Sequence, residues 1–113
     1  MEPAYFYKAI AEEVHDGDTY RLRVDLGFRV SIVINGRLRG IDAPELGTKP
    51  GISSRDYVKL LLTPSEGPTP LVVQSFKDEQ SFARWVVNIW LPGDVNLAGH
   101  LIETGYAVPL NVH

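Results

Sequence analysis

The sequence contains no cysteine, so disulfides, thiolate catalysis and cysteine-based zinc sites are excluded, and the redox compartment is left open. No stretch approaches the roughly 20 apolar residues that a membrane-spanning helix needs, and no membrane partner is expected. An excess of positive charge is also missing. With 11 Lys and Arg against 14 Asp and Glu, the formal net charge is −3, which argues against a protein held on nucleic acid by basicity alone. The start, Met1-Glu2-Pro3-Ala4-Tyr5, has neither basic residues nor an apolar run. No secretory signal is therefore visible, and the chain reads as cytoplasmic or as secreted with its signal removed. Repeats, low-complexity tracts and linkers are absent too. The 113 residues, 44% of them hydrophobic, suit one domain over 1–113 with a small core, and no obligate protein partner is expected.

What charge there is sits unevenly. Between positions 21 and 59 lie Arg21, Arg23, Arg29, Arg37, Arg39, Lys49, Arg55 and Lys59, against Asp25, Asp42, Glu45 and Asp56. The stretch is thus locally cationic inside an acidic protein, although charges on half-exposed strands are commonly just solvated faces.

Alternation of apolar and polar residues predicts strands. Tyr5 to Val14 reads as the first. The turn signal Asp16-Gly17 follows, and then Tyr20, Leu22, Val24 and Leu26 point one way while Thr19, Arg21, Arg23 and Asp25 point the other. Gly27 is read as the next turn, and Phe28, Val30, Ile32 and Ile34 as the buried face of a third strand. Asn35-Gly36 marks a turn or a bulge. Arg37 to Ile41 is extended again and enters Asp42-Ala43-Pro44-Glu45, where Pro44 keeps Ala43 out of the helical region. Ser53, with Asp56 three residues on, fits a capping box opening a helix that Pro64 ends. Leu71–Phe76 and Phe82–Leu91 are the fourth and fifth strands, the latter with Trp85, Val87 and Ile89 on one face. Asp94 is expected to cap a second helix with Leu97, Leu101 and Ile102 as its core stripe, and Gly105 to sit at C′. Three strands, a helix, two strands and a helix make a mainly β chain with two helices. That order is the plan of a five-stranded OB-fold barrel.

Polar residues gather at strand ends in Asp16-Gly17-Asp18-Thr19, in Arg37 through Glu45, and at Arg84. Their content suits phosphoryl chemistry, which needs a cation, an oriented water and donors that strengthen as negative charge builds up. Asp18 and Asp42 with a backbone carbonyl form an oxygen-only set for a hard cation. Calcium, which takes many oxygen ligands in loose geometry, is the natural candidate, with another divalent ion as the alternative. Glu45 is placed to orient or deprotonate a water, and Arg37 and Arg84 to clamp a phosphate through two parallel hydrogen bonds.

The segments His15-Asp16-Gly17-Asp18-Thr19, Arg37-Leu38-Arg39-Gly40-Ile41-Asp42-Ala43-Pro44-Glu45 and Phe82-Ala83-Arg84-Trp85 resemble signature segments of the staphylococcal nuclease (thermonuclease) family, as do Val95-Asn96-Leu97 and Gly105-Tyr106-Ala107. The match runs in order from about Tyr5 to Val108. The resemblance implies a staphylococcal-nuclease-like barrel with Asp18 and Asp42 as calcium ligands, the Ala43 main-chain carbonyl beside them and Asp16 just outside the metal. It implies Arg37, Glu45 and Arg84 as the catalytic residues. The implied reaction is attack of water on phosphorus with departure of the 5′-oxygen, leaving 3′-phosphate ends. Two departures stand out: Ala43 replaces a threonine of the family's type member, and Ala83 stands where glycine commonly precedes the second arginine.

The expected function is therefore a calcium-dependent endonuclease acting on DNA or RNA, single strands favoured. The rival reading is a catalytically silent module of the Tudor-type scaffold kind that binds nucleic acid or protein. An oligosaccharide-binding barrel has only the fold in its favour. Several residues receive plainer readings. Arg39 is structural or surface, His15 a turn residue, and Trp85 and Trp90 core or barrel surface. Ser53 and Ser54 belong to a helix start, and His100 and His113 receive no role.

Overall fold

The structure, a computed structural model, describes residues 5–81 and 84–110, with the backbone alone for 77–81. Strand β1 (Phe6–Val14) pairs antiparallel with β2 (Thr19–Gly27), and β2 pairs with β3 (Val30–Leu38). A short strand β4 (Ile41–Asp42) precedes helix α1 (Lys49–Leu62). Strand β5 (Leu71–Ser81) then returns to pair with β1 and with β6 (Arg84–Leu91). The sheet closes on itself because β6 also pairs, in parallel, with the end of β3 over Gly36–Leu38. The result is a closed five-stranded OB-like barrel of β1, β2, β3, β5 and β6. Three further short elements complete it: β7 (Val95–Asn96) on β6, helix α2 (Leu97–Glu103), and β8 (Val108–Pro109) paired with β4.

The alternation in β2 sets the core. Tyr20, Leu22 and Val24 are buried inside the barrel with Ala9, Leu38, Val73, Val87 and Ile89. Helix α1 packs on β1 and adds Val58 and Leu62, while α2 packs on β6 and adds Leu97 and Leu101. Each fully buried Leu or Ile of this set contributes roughly 1.5–3 kcal/mol of apolar transfer. Gly105 takes the C′ position with φ 82°. Its N–H donates to Ile102 O at 3.1 Å and the Tyr106 N–H to Leu101 O at 2.9 Å, the paired bonds of a Schellman motif.

Local structure departs from the sequence reading in five places. Helix α1 starts earlier than Ser53: Thr48 is the N-cap, its Oγ1 accepting from Gly51 N at 3.1 Å, and Pro50 lies in the first turn, where its missing N–H costs nothing. For α2 the cap is Asn96, which accepts from Gly99 N at 3.0 Å, while Asp94 sits two residues earlier at φ 60°. Ile102 lies on the exposed side of that helix. Asn35-Gly36 is neither turn nor bulge but the interior of β3, since barrel closure overrides the local turn signal. Finally, Phe28 is not on a buried strand face. Phe28 and Arg29, with φ of 54° and 62°, form the two-residue connection between β2 and β3, and Phe28 is fully exposed. The open end of that hairpin also leaves Leu26, Val30 and Ile32 exposed. The Phe82 start expected for the fifth strand lies outside the described residues.

Left-handed φ values are unfavourable for a side chain such as Phe and easy for Asn-Gly. Replacing Phe28-Arg29 by Asn-Gly is expected to stabilise the fold by about 1–2 kcal/mol, read as a rise of several degrees in the thermal midpoint. An unchanged or lower midpoint contradicts this account of the turn.

Candidate active site

The closing seam places the site. At Gly36 and Arg37, β3 is paired on both edges, so Arg37 lies between Thr19 of β2 and Val86 of β6. Gly36 permits this: a Cβ there would stand 3.0 Å from Leu22 Cδ1 and 3.3 Å from Val87 Cγ2. The loop at 15–18 is tied to the same seam, because the Leu38 N–H donates to Asp18 O at 2.8 Å. Asp16 stiffens that loop by accepting from the Asp18 N–H at 3.0 Å, a bond typical of an Asx turn.

Around this frame the guanidinium of Arg37 joins two acids. Its Nη2 lies 2.8 Å from Asp42 Oδ1 and 3.6 Å from Asp18 Oδ2. Its Nη1 donates to the carbonyls of Ile41 at 3.2 Å and Leu38 at 3.3 Å, which curls β4 around the arginine head. Asp18 Oδ2 also accepts from the Ala43 N–H at 3.0 Å, and Oδ1 from Thr19 Oγ1 at 3.1 Å. Thr19 Oγ1 in turn accepts from Arg84 Nη1 at 3.3 Å. Asp16, Asp18, Arg37, Asp42, Ala43 and Arg84 therefore lie in one connected cluster. Glu45 is exposed and lines a shallow cleft of about 360 Å³ with Asp42, Ala43 and Tyr106. Its main-chain carbonyl, not its carboxylate, is the anchored part, accepting from the Thr48 N–H at 3.1 Å and Oγ1 at 2.7 Å. Arg39 stands apart, with its guanidinium 4.2 Å from the centre of the Phe76 ring.

Three supports carried no sequence signal strong enough to single them out. Thr19 links Asp18 to Arg84. Gly17 lets the loop touch helix α1 and the 42–45 segment, since a Cβ there would collide with Ser54 Oγ and Ala43 Cβ. Ser54, fully buried, donates to Tyr106 O at 2.9 Å and pins α1 to the chain beyond α2. Only the Gly17 position in an Asp-Gly-Asp string was legible, and it was legible as a turn. The buried Tyr20 hydroxyl donates to Gly17 O at 2.6 Å. Burial, with the charges of Asp18 and Asp16, pushes that phenol well above its ordinary value, so it remains a donor.

Burial is also the main influence on Asp18, only 8% exposed, and it raises the carboxyl above the ordinary 3.8. The Ala43 N–H opposes the rise, the hydrogen bond and charge of Asp16 add to it, and Arg37 opposes it. Asp18, Asp42 and the Ala43 carbonyl offer oxygen donors of the kind that suit calcium, with further positions open to water or substrate. Among the described residues no group of three or more His, Asp or Glu side chains gathers as a metal cage, so any cation here rests on two carboxylates and main chain. The Phe82 and Ala83 positions of the motif before Arg84 lie outside the described residues. The chain matches no family model and no curated protein.

Two outcomes follow. A folded-state carboxyl raised above its unfolded value contributes stability that is full below the unfolded value and is lost as pH rises through the folded one. In metal-free protein the thermal midpoint of Asp18→Asn should therefore gain on the wild type as pH rises from about 4 to 7. Added calcium should raise the wild-type midpoint and not the variant's. A pH-independent difference contradicts the burial argument. Second, Gly17→Ala should cost about 2 kcal/mol, roughly 5–10 °C in midpoint, by wedging the 15–18 loop away from Ala43 and Ser54. A shift within 1 °C, on the order of a few tenths of a kcal/mol, would mean the loop is not clamped there.

Proposed function

We propose that the protein is a metal-dependent endonuclease of the staphylococcal nuclease type, hydrolysing phosphodiester bonds of DNA or RNA and favouring single strands. The observation that carries this reading is the guanidinium of Arg37 held between Asp18 and Asp42, with Arg84 joined to the same carboxylate through Thr19. Two carboxylates and two arginines converging at one barrel edge suit a cation and a phosphate bound side by side.

Asp18, Asp42 and the Ala43 carbonyl are the groups that would hold the cation, with Asp16 behind them. A cation so held supplies charge to offset that on the non-bridging phosphate oxygens. Arg37 and Arg84 would each donate to phosphate, Arg37 with the Nη2 that rests on Asp42 and Asp18, and both keep their charge at any working pH. Both strengthen their hold as the phosphorus becomes five-coordinate and its oxygens gain charge. Glu45, exposed at the mouth of the Asp42–Ala43 cleft, is the group to orient a water or accept its proton. Water oxygen bonds to phosphorus and the bond to the 5′-oxygen breaks. The leaving 5′-oxygen takes up a proton from solvent, and the phosphate stays on the 3′-oxygen of the fragment on the 5′ side of the cut. A stiff duplex fits a site at a barrel edge less readily than a flexible strand does, hence the single-strand preference.

The reading is tested with single-stranded DNA and calcium, with and without a chelator. Cleavage is expected, and the chelator should abolish it. Arg84→Ala should lower kcat by about 10²–10³-fold and Glu45→Gln by about 10²–10⁴-fold. Binding without cleavage in any divalent metal would instead place the chain with the silent scaffold modules.

A further inference from the structure

Arg84 borders a second cleft, outside the carboxylate cluster. This cleft, of about 430 Å³, is lined by Glu13, His15, Thr19, Arg21, Asn35 and Arg84, with Tyr20. The register shows how it is built. Glu13 of β1 stands opposite Arg21 of β2, and Arg21 opposite Asn35 of β3. Asn35 and Arg84 each immediately precede the paired residues Gly36 and Trp85. One side chain from each of four neighbouring strands therefore falls in a line across the outer face of the barrel. Glu13, His15, Arg21 and Asn35 are all exposed along it, and the line ends at an arginine of the candidate active site.

We infer that this row is a subsite for the nucleotide flanking the scissile phosphate, and that it selects bases carrying an exocyclic amino group. The inference rests on the nuclease reading and deepens it. The chemistry of the row is mixed in a telling way. Arg21 and His15 suit a phosphate or a stacked base. Glu13 does not suit phosphate, since a carboxylate repels it. A carboxylate is an acceptor only, so its partner on a nucleotide is a donor edge such as the cytosine amino group. Asn35 both donates and accepts, and it lies between the base end of the row and Arg84. A strand with its phosphate at Arg37 and Arg84 would thus lay its next nucleotide across Asn35 and Arg21, with the base edge toward Glu13. Thymine, which shows a carbonyl where cytosine shows the amino group, would meet Glu13 acceptor to acceptor.

The test uses wild-type protein with calcium and a series of short oligodeoxynucleotides, each with one cleavable linkage, the others being methylphosphonate. Members differ by one flanking nucleotide on either side, present or absent, and cytosine or thymine when present. Adding the nucleotide on one side is expected to lower KM roughly fivefold with little change in kcat, and cytosine to be favoured over thymine about fivefold. Arg21→Ala and Asn35→Ala should each erase most of the benefit of the added nucleotide. Glu13→Gln, which keeps the side-chain shape and can itself donate, should erase the cytosine preference, and circular dichroism should show all three variants folded. With a charged flanking linkage restored, Arg21→Ala should also reduce the slope of log KM against log salt by about 0.7, the value for one single-strand phosphate contact. No cleavage of any member by the wild type overturns the nuclease reading and the subsite with it. Cleavage with no benefit from either neighbour, or with a benefit and base preference that survive all three substitutions, overturns the subsite alone.

Discussion

The candidate site depends on the short seam where β3 is held on both sides. Over Gly36–Arg37 the strand pairs antiparallel with β2 and parallel with β6, turning an open sheet into a barrel. The closure is possible because position 36 has no side chain to drive into Leu22 and Val87. It fixes Arg37 in a strand that cannot slide, brings Thr19 beside it, and delivers Arg84 from a segment almost fifty residues further on. A strand paired on one edge can slip in register, and a slip of one residue would turn Arg37 into the core. Pairing on both edges makes such a slip break two ladders at once.

The electrostatics of the cluster follow from that placement. Asp18 is buried with its charge opposed by desolvation and by Asp16, and it is relieved in part by the Ala43 N–H and by Arg37. Arg37 spreads its donors over two carboxylates and two carbonyls. Because those carbonyls belong to Leu38 and Ile41, the arginine also sets the path of the chain into Asp42 and Ala43. Arg37 is thus both a charge for the site and a brace for its backbone. Lysine, a point charge on a flexible stem, could not serve as that brace.

The fold was largely legible because it rests on long, regular patterns. The alternation through Tyr20, Leu22 and Val24 reports a buried face directly, and the order of strands and helices follows from where it starts and stops. Errors fell where short signals competed. Ser53 with Asp56 is a fair capping box, yet Thr48-Lys49-Pro50-Gly51 starts α1 earlier, because Pro50 suits a first turn and Gly51 lets the Glu45 carbonyl approach the helix. Asn35-Gly36 carries a strong turn signal in isolation, and only the arrival of β6 explains a glycine in mid-strand. The converse happened at Phe28-Arg29, where two residues without turn character are forced to positive φ because the flanking strands demand a tight connection.

The candidate site was legible to a different degree. Charged residues at strand ends announce themselves, so Asp18, Arg37, Asp42, Glu45 and Arg84 could be picked out, but sequence does not say what joins them. Thr19 reads as an ordinary strand residue and Ser54 as an ordinary helix residue; their hydrogen bonds span 65 and 52 positions of chain. Under the proposed function, an acidic protein would have to hold a polyanion. Net charge governs encounter at a distance, and salt largely screens it beyond about 10 Å. At contact the local arrangement decides. In the proposed nuclease, Arg37 starts out occupied by the two carboxylates. Were a cation held between those acids, the Nη2 donors that now rest on them would be the ones turned to phosphate, while Nη1 kept its bonds to the Leu38 and Ile41 carbonyls. The arginine would then favour the phosphate once the metal is in place and hold the acids when it is not. Metal and substrate would in this way reinforce each other through one guanidinium, without any need for a basic surface.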